Sequence, residues 1–234
     1  MQTDDPTRQL EDLLFKGWRK DLPRFVPDGI IDPDTYDKAK IRITFLLKDP
    51  NDPPREDWTP WDLREVLYNE KFEQHQTMWT VAARWIYDLL YEKVTWNEGN
   101  RNKPFLKNFD KIGHFQAMML RNVAVVNIKK EGGGGQTDVT ELRRHAEKHH
   151  QAICNQTIMH GTDLIIAGGI PIWMLRLIYE GVEKAENNTS NGLIHWYLPE
   201  LKSHLIKYHH PACRKSHKEL HLTLVEAVRE VIAL

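Results

Sequence analysis

Three apolar segments that lie far apart in the chain each end in a polar side chain of a type that enzymes use. They are residues 41–48 followed by Asp49, residues 123–126 followed by Asn127, and residues 204–208 followed by His209 and His210. A carboxylate stabilises positive charge or orients a water, an amide donates and accepts hydrogen bonds, and a neutral imidazole donates one. Because open α/β sheets bind ligands at the carboxyl ends of their strands, we expect these groups to share one site.

Strand-like and helix-like segments alternate along the chain, and this alternation predicts the fold. Continuous apolar runs predict strands over 41–48, 122–128, 163–169 and 204–209. Apolar residues at helical spacing predict helices over 7–20, 61–93, 111–121, 138–159 and 218–234, and residues 21–40 are expected to form a loop. Continuous apolar strands separated by helices are typical of a parallel sheet covered on both faces. We therefore predict a three-layer α/β/α fold with a central four-stranded, mostly parallel sheet.

The composition is that of an ordinary globular protein, with 41% hydrophobic and 28% charged residues in a chain of 234. That length suits a single domain over residues 1–234, in which the helix and loop of residues 1–40 pack on the core. No apolar stretch approaches the ~18 residues of a membrane span, and the first residues lack the pattern of a signal peptide. We therefore expect a cytoplasmic protein, most simply a monomer.

Neither a cofactor nor a metal is expected. Cys154 and Cys213 are too few for a disulfide framework, a four-cysteine iron–sulfur cluster or a cysteine-only zinc site. Two pairs of histidines have the helical i, i+4 spacing of metal ligands; they are His145 with His149 and His217 with His221. No Glu stands where a metalloprotease motif needs one, so these pairs are expected to lie on solvated helix faces.

Charge is spread unevenly along a chain whose net charge is −1. Residues 1–110 carry 17 Lys and Arg against 21 Asp and Glu, whereas residues 111–234 carry 15 against 12 and also hold 11 of the 12 histidines. This excess of positive charge in the second half is compatible with a basic binding face on a nearly neutral protein.

The polar strand ends belong to longer motifs. The first reads Lys48-Asp49-Pro50-Asn51, the second Val125-Val126-Asn127, and the third His210-Pro211-Ala212-Cys213-Arg214. In order and spacing, over residues 41–230, they resemble the motifs of the uracil-DNA glycosylase superfamily. In that family one strand ends in Asp-Pro, a second in a pyrimidine-reading Asn, and a late strand in His-Pro before a DNA-probing loop. The resemblance implies a four-stranded parallel sheet flanked by helices, and an enzyme that acts on double-stranded DNA.

The resemblance also assigns a role to each motif residue. Asp49 and His210 are catalytic, because the carboxylate stabilises an oxocarbenium-like sugar or positions water and the imidazole donates to the departing base. The residues expected to contact the extruded base are Asn127, Asn51, Pro50 and His209. The residues expected to contact DNA are Arg214, which probes the helix, and the lysines Lys215, Lys129, Lys130, Lys207 and Lys218.

Departures from the family's pattern point to an unusual substrate. Asn51 replaces the Tyr that excludes 5-substituents in uracil-specific members, and Arg214 makes the probing residue cationic. Residues 51–60 and 94–110, which contain Trp58 and Trp96, have no counterpart in the family, and Trp61 follows the first of them. A roomier and more polar pocket is expected to accept a large 5-substituent. We therefore hypothesise a monofunctional antiphage glycosylase that releases glucosylated hydroxymethylcytosine from phage DNA and leaves an abasic site.

Other functions stay open at this point. The chain is also compatible with a uracil or mismatch repair glycosylase, with a DNA sensor of the same fold that does not cleave, and with an N-glycoside enzyme of free nucleotides such as a deoxyribosyl transferase. The basic loop after the last strand favours a polymer as substrate. Lys48 suggests a Schiff-base lyase, but strand alternation directs its side chain away from that of Asp49, which favours hydrolysis without a covalent intermediate.

Overall fold

The computed structural model describes residues 5–50, 58–69, 76–91, 112–132, 137–183 and 186–232. The strands are β1 Gly29–Ile30, β2 Ile43–Leu47, β3 Val123–Asn127, β4 Leu164–Gly168, β5 Asn187–Asn188, β6 Ile194–Leu198 and β7 Ser203–Tyr208. The helices are α1 Pro6–Asp21, α2 Pro33–Asp37, α3 Leu63–Tyr68, α4 Gln76–Tyr91, α5 Ile112–Leu120, α6 Val139–Met159, α7 Ile172–Ile178 and α8 His217–Ile232. A 3-10 turn covers Glu180–Glu183. Across these ranges no helix combines the length and the apolar character that crossing a membrane requires.

The strands form one mixed sheet in the order β1-β3-β2-β4-β7-β6-β5, and its four central strands are parallel. The chain passes from β2 to β3 on one side and then crosses to β4 on the other. This reversal places a topological switch point between the carboxyl ends of β2 and β4, where open α/β sheets bind ligands. The α/β class predicted from the sequence is confirmed, and the edge formed by the ends of β3, β2, β4 and β7 is called the carboxyl edge below.

The sheet is larger than the four strands predicted. Strand β1 pairs antiparallel with β3, and both β1 and α2 lie in the segment 21–40 that was expected to form a loop. Strands β5 and β6 extend the other side, where β6 pairs antiparallel with β7. The prediction missed β1 because two residues between prolines carry no periodicity. It missed β6 because this half-exposed strand has no continuous apolar run.

Two hydrophobic clusters fill the two faces of the sheet. Phe45 packs with residues of α3, α4, α5 and α8, whereas the next residue, Leu46, packs with residues of α1, α6 and α7. Successive side chains of a strand point to opposite faces, so β2 is buried on both sides and reads as a continuous apolar run. Each fully buried side chain of this kind stabilises the fold by about 1.5–3 kcal/mol. The rigid sheet thus fixes the positions of the residues that follow its strands.

A buried ionic network fastens α1 to the rest of the molecule. Glu11 is fully buried, and its Oε1 accepts hydrogen bonds from the backbone N–H of Ile30 at 3.0 Å and from Nε2 of His160 at 2.8 Å. Its Oε2 accepts from Arg8 at 3.2 Å and from Arg64 at 2.7 Å. Burial would raise the pKa of Glu11, but the bond from His160 and the charges of His160, Arg64 and Arg8 lower the pKa to about 2.

Candidate active site at the carboxyl edge

Asp49 follows β2 at the switch point. The parallel ladder continues past the strand, because the N–H of Lys129 donates to the carbonyl of Lys48 at 2.9 Å, and Pro50, which has no N–H, follows Asp49. The Asp49 carboxylate is half-buried, and its Oδ2 atom is buried with no hydrogen-bond partner among the described residues. An unpartnered buried carboxylate oxygen is costly and is typical of a functional site.

The protonation of Asp49 is set by opposing effects. Burial raises its pKa above the ordinary value, and the nearby Thr137 hydroxyl and the charges of Lys129 and Lys48 only partly offset this. Thr137 precedes Asp138, which caps α6 by accepting from the N–H groups of Thr140 and Glu141. The carboxylate therefore lies between the end of β2 and the start of α6.

His210 lies at the same edge and has a defined tautomer. The backbone N–H of Ala212 donates to its Nδ1 at 3.1 Å, so Nδ1 is an acceptor and the neutral ring carries its proton on Nε2. Burial, with a smaller contribution from the charge of Lys48, lowers the pKa of His210 to about 4. The ring is therefore neutral at physiological pH, and its Nε2–H is available as a donor.

The two adjacent histidines have different surroundings. The ring of His209 packs edge-on against Tyr208 at 5.5 Å. Burial lowers the pKa of His209, and the charges that act on it are those of Lys215, Lys207 and Glu219. His209 thus lies beside Tyr208 and the charges of the β7–α8 loop, whereas His210 lies against Gly169 at the end of β4, and the contact of His209 with the base stays a prediction.

Two glycines at the end of β4 allow His210 and Lys48 to approach. A Cβ atom on Gly169 would lie 3.2 Å from Cβ of His210 and 3.6 Å from Cε of Lys48, and Gly169 has a φ of 72° that favours glycine. A Cβ atom on Gly168 would lie 2.8 Å from a methyl group of Leu47. The sequence prediction missed these glycines as site residues, although a glycine pair that ends an apolar strand is a signal of close approach.

Lys48 and Asp49 have different neighbours, as strand alternation predicts. Lys48 extends towards Gly169 and His210, whereas Asp49 lies near Thr137 and Lys129. The ammonium group of Lys48 thus stands on the β4 side of the switch point. The carboxylate stands on the β3 side.

Asn127 ends β3 inside a buried polar cluster around Asp28. Its backbone N–H and its amide nitrogen Nδ2 both donate to Oδ2 of Asp28, at 2.7 and 3.2 Å. Oδ1 of Asp28 accepts from Lys130 at 2.6 Å and from Gln156 at 3.0 Å, and Lys130 also donates to Gln156 at 2.7 Å. Asp28 was not predicted to be functional, because an acidic residue between Pro27 and Gly29 has the local signature of a turn.

Lys129 and Lys130 do not occupy the surface positions expected of DNA-binding residues. The Lys129 side chain is 7% exposed, and its ammonium group forms an ion pair with Glu141 at 2.8 Å. Lys130 is buried against Asp28. Burial lowers the pKa of Lys130 by more than the nearby Asp28 raises it. The prediction was wrong for both residues, because a basic residue after a strand gives no local indication of a buried acidic partner. Arg214 and Lys215 are exposed in the loop between β7 and α8, as expected.

Some predicted features lie outside the described residues. These are Asn51, Trp96 and residues 94–110. Trp58 and Trp61 are described, and Trp61 packs on the larger hydrophobic cluster. Within the described ranges no group of three or more His, Cys, Asp or Glu residues is arranged to hold a metal. His221 instead forms a buried pair with Asp88, at 2.5 Å between Nε2 and Oδ2.

The carboxyl edge therefore brings together three of the predicted residues. Asn127 is the register partner of Leu47, Asp49 follows Leu47 by two residues, and His210 lies over Gly169 at the end of β4. Because neighbouring strands are ~4.8 Å apart, the ends of β3 and β4 on either side of β2 are separated by ~10 Å, a distance that a nucleobase can occupy. The ends of three adjacent strands thus carry a proton acceptor, an amide and a neutral hydrogen-bond donor.

Comparison of the chain with protein-family models, with curated proteins and with solved structures finds no significant match. Functional inference therefore depends on the geometry and chemistry of the carboxyl edge.

Proposed function

We propose that this protein is a DNA glycosylase that hydrolyses the N-glycosidic bond of an extruded, modified pyrimidine. The observation that carries the proposal is the position of a neutral, donor-bearing His210 across the switch point from the half-buried Asp49. Breaking the N-glycosidic bond leaves positive charge on the sugar and negative charge on the base, so the reaction needs these two groups on opposite sides.

His210 stabilises the departing base. Its Nε2–H donates a hydrogen bond to the negative charge that develops on the pyrimidine as the bond to the sugar breaks. A neutral donor serves this role throughout the physiological pH range, because the pKa of about 4 keeps the ring unprotonated. The bond from Ala212 to Nδ1 fixes the tautomer before the substrate arrives.

Asp49 acts on the sugar side. Its unpartnered Oδ2 atom is available to a water molecule, which attacks the anomeric carbon and gives its proton to the carboxylate. The base leaves with the electron pair of the broken bond, and the sugar keeps the hydroxyl group as an abasic site. The Lys48 side chain extends towards Gly169, whereas Asp49 lies near Thr137, which supports hydrolysis over a lyase reaction.

The surrounding architecture supports the same reaction. The α/β class of the fold supports the proposal, with four parallel strands at the centre of a larger mixed sheet of seven. Asn127 supplies an amide at the edge of the pocket, suited to the polar edge of a pyrimidine. The exposed Arg214 and Lys215 follow His210 by four and five residues, so they can contact the DNA from which the base is extruded.

The proposed substrate is glucosylated hydroxymethylcytosine of phage DNA, and the protein would then act in antiviral defence. Support for this choice comes from the sequence, where Asn51 takes the place of a bulky Tyr and Arg214 takes the place of an apolar wedge. Asn is smaller than Tyr and polar, so the residue type at position 51 suits a base that carries a sugar substituent.

The experiment compares four DNAs of one sequence that carry glucosylated hydroxymethylcytosine, hydroxymethylcytosine, cytosine or uracil at a single position. After incubation, abasic sites are scored by strand cleavage in alkali. Cleavage of the glucosylated DNA alone supports the full proposal. Cleavage of the uracil DNA alone identifies a repair enzyme. Binding without cleavage of any of the four identifies a sensor, and consumption of mononucleotides alone identifies an enzyme of free nucleotides.

A further inference from the structure

The contact between Asp28 and Asn127 fixes which way the Asn127 amide faces. Asp28 is fully buried and its carboxylate can only accept hydrogen bonds, so the amide must turn its nitrogen towards it. The adjacent backbone N–H of Asn127 donates to the same oxygen atom, which holds the two residues in register. The orientation of the amide thus follows from the chemistry of its partner.

Asp28 is itself held on its other oxygen atom. Lys130 and Gln156 both donate to Oδ1, at 2.6 and 3.0 Å, and all of these side chains are at most 1% exposed. Rotation of the Asp28 carboxylate would break these bonds inside a dry environment, where lost hydrogen bonds are expensive. The cluster is therefore a rigid support for Asn127.

The fixed amide leaves a defined pattern for a ligand. One Nδ2 hydrogen is occupied by Asp28, and no described residue donates to Oδ1. The Asn127 amide therefore keeps one acceptor and one donor in a fixed order, on a residue that is 1% exposed when no base is bound. Cytosine and uracil present opposite orders along their edge: position 4 is a donor and position 3 an acceptor in cytosine, and the reverse holds in uracil.

We propose that Asp28 is a positioning residue that sets the choice between cytosine-type and uracil-type bases by locking the amide of Asn127. This inference rests on the proposed function. One pyrimidine type forms two hydrogen bonds with the locked amide, and the other type meets a donor opposite a donor and an acceptor opposite an acceptor. The expected preference is roughly 10- to 100-fold in kcat/KM.

The test uses pairs of bases that differ only at positions 3 and 4. These are 5-hydroxymethylcytosine and 5-hydroxymethyluracil, each with and without glucose, in single-stranded DNA and opposite an abasic-site analogue so that base pairing does not contribute. No release of any of these bases overturns the proposed function and this inference with it. Release of both pyrimidine types at equal rates overturns this inference alone.

The Asp28→Asn variant tests the lock directly. Lys130 and Gln156 both need an oxygen atom as their acceptor, so the new amide nitrogen of residue 28 is expected to face Asn127. The backbone N–H of Asn127 then loses its acceptor, and the Asn127 amide is expected to turn its Oδ1 towards residue 28. The preference is then expected to shift at least about tenfold towards the other pyrimidine type. A variant that is folded and less active, but with the parent's preference, contradicts the inference, since a merely structural role lowers both rates together.

Two further variants complete the experiment. Gln156→Met removes a bond to Asp28 but leaves the contact with Asn127, so it is expected to lower stability without changing the preference. Asn127→Ala removes the amide that contacts the base. It is expected to bring the ratio of the rates for cytosine-type and uracil-type bases close to one. If Asp28→Asn does not fold, the preference of the parent and its loss in Asn127→Ala decide the question; a preference that survives in Asn127→Ala overturns the inference.

Discussion

The backbone N–H of Ala212 lies 3.1 Å from Nδ1 of His210 and donates a hydrogen bond to it. This contact is made within the loop that follows β7, so the sequence around Pro211 itself determines which nitrogen of the ring carries the proton. The Cβ atom and the backbone N of His210 in addition lie against Gly169, at the end of a different strand. Local sequence thus sets the tautomer, and the sheet sets where the Nε2–H donor lies.

Replacing His210 by Gln is expected to lower kcat about 100-fold or more, because one donor to the developing anion is lost or displaced. The pKa of His210 of about 4 also predicts that the rate of the parent shows no step near pH 6.5. The fall in rate at low pH is expected to come from protonation of Asp49. The pH at which the rate falls is therefore expected to be the same in His210→Gln as in the parent. Single-turnover rates from pH 4.5 to 8.5 measure both effects. A step near pH 6.5 in the parent that disappears in the variant contradicts this role.

The same histidine is expected to make stability depend on pH. The unfolded chain binds a proton near the ordinary pKa of about 6.5, whereas the folded chain binds it only near 4, so between these values the unfolded state holds more protons. Stability therefore falls as the pH drops through this window. Urea unfolding at pH 7 and pH 5 should show a smaller difference for His210→Gln than for the parent, and an equal difference contradicts the assignment.

Asp49→Asn is expected to abolish cleavage and yet stabilise the protein. Burial raises the pKa of Asp49, so the ionised carboxylate opposes folding at all pH values above its ordinary pKa, and the uncharged amide removes this cost. The expected gain in Tm at pH 7 is a few degrees, about 1–3 °C. Calorimetry measures it, and the residual rate gives the catalytic loss. A variant that is less stable than the parent shows that the carboxylate has a structural role instead.

Arg214→Ala is expected to weaken binding to duplex DNA and to change its salt dependence. If the guanidinium contacts a phosphate, the slope of log K against log salt concentration falls by about 1. Lys38→Ala is the matched control, because Lys38 is exposed before the amino end of β2, at the opposite edge of the sheet. Binding by fluorescence anisotropy at several salt concentrations compares the two. If the slope of log K against log salt concentration is the same for both variants, Arg214 does not contact the DNA backbone.

Glu11→Gln is expected to destabilise the fold by about 3 kcal/mol or more, because two buried arginines and His160 lose a charged partner. The pKa of Glu11 is lowered to about 2, so its contribution is present above pH 4.5 and is lost as the pH falls from 4.5 towards 2. Glu65→Gln, at an exposed position of α3, serves as the control. Urea unfolding at pH 7 that shows less than about 1 kcal/mol of loss for Glu11→Gln contradicts this account of the network.

The sequence predicted those features that local pattern encodes. Strands β2, β3 and β4 are buried on both faces, and for that reason they appear as continuous apolar runs. In β7 the apolar run is interrupted by the partly exposed Lys207. The position of Asp49 after such a run was sufficient to place it at the carboxyl edge. The positions of Asn127 and His210 followed in the same way.

The features that the sequence did not predict depend on contacts between residues far apart in the chain. Asp28 and Lys130 are separated by 102 residues, and neither position differs locally from a turn or a surface lysine. Lys129 likewise was predicted on the surface because its partner Glu141 belongs to the following helix. Buried ion pairs of this kind cannot be distinguished from solvated charges without the fold, since the residue types are the same.

The most direct test of the central claim is a single-turnover reaction with duplex DNA that carries one glucosylated hydroxymethylcytosine. Mass spectrometry of the small molecules measures the free base, and alkali cleavage measures the abasic site, for the parent and for Asp49→Asn. We predict that the parent yields both products in equal amounts and that folded Asp49→Asn yields neither. Release of base by the Asp49→Asn protein at the rate of the parent, or no release by the parent from any modified or unmodified pyrimidine, contradicts the account.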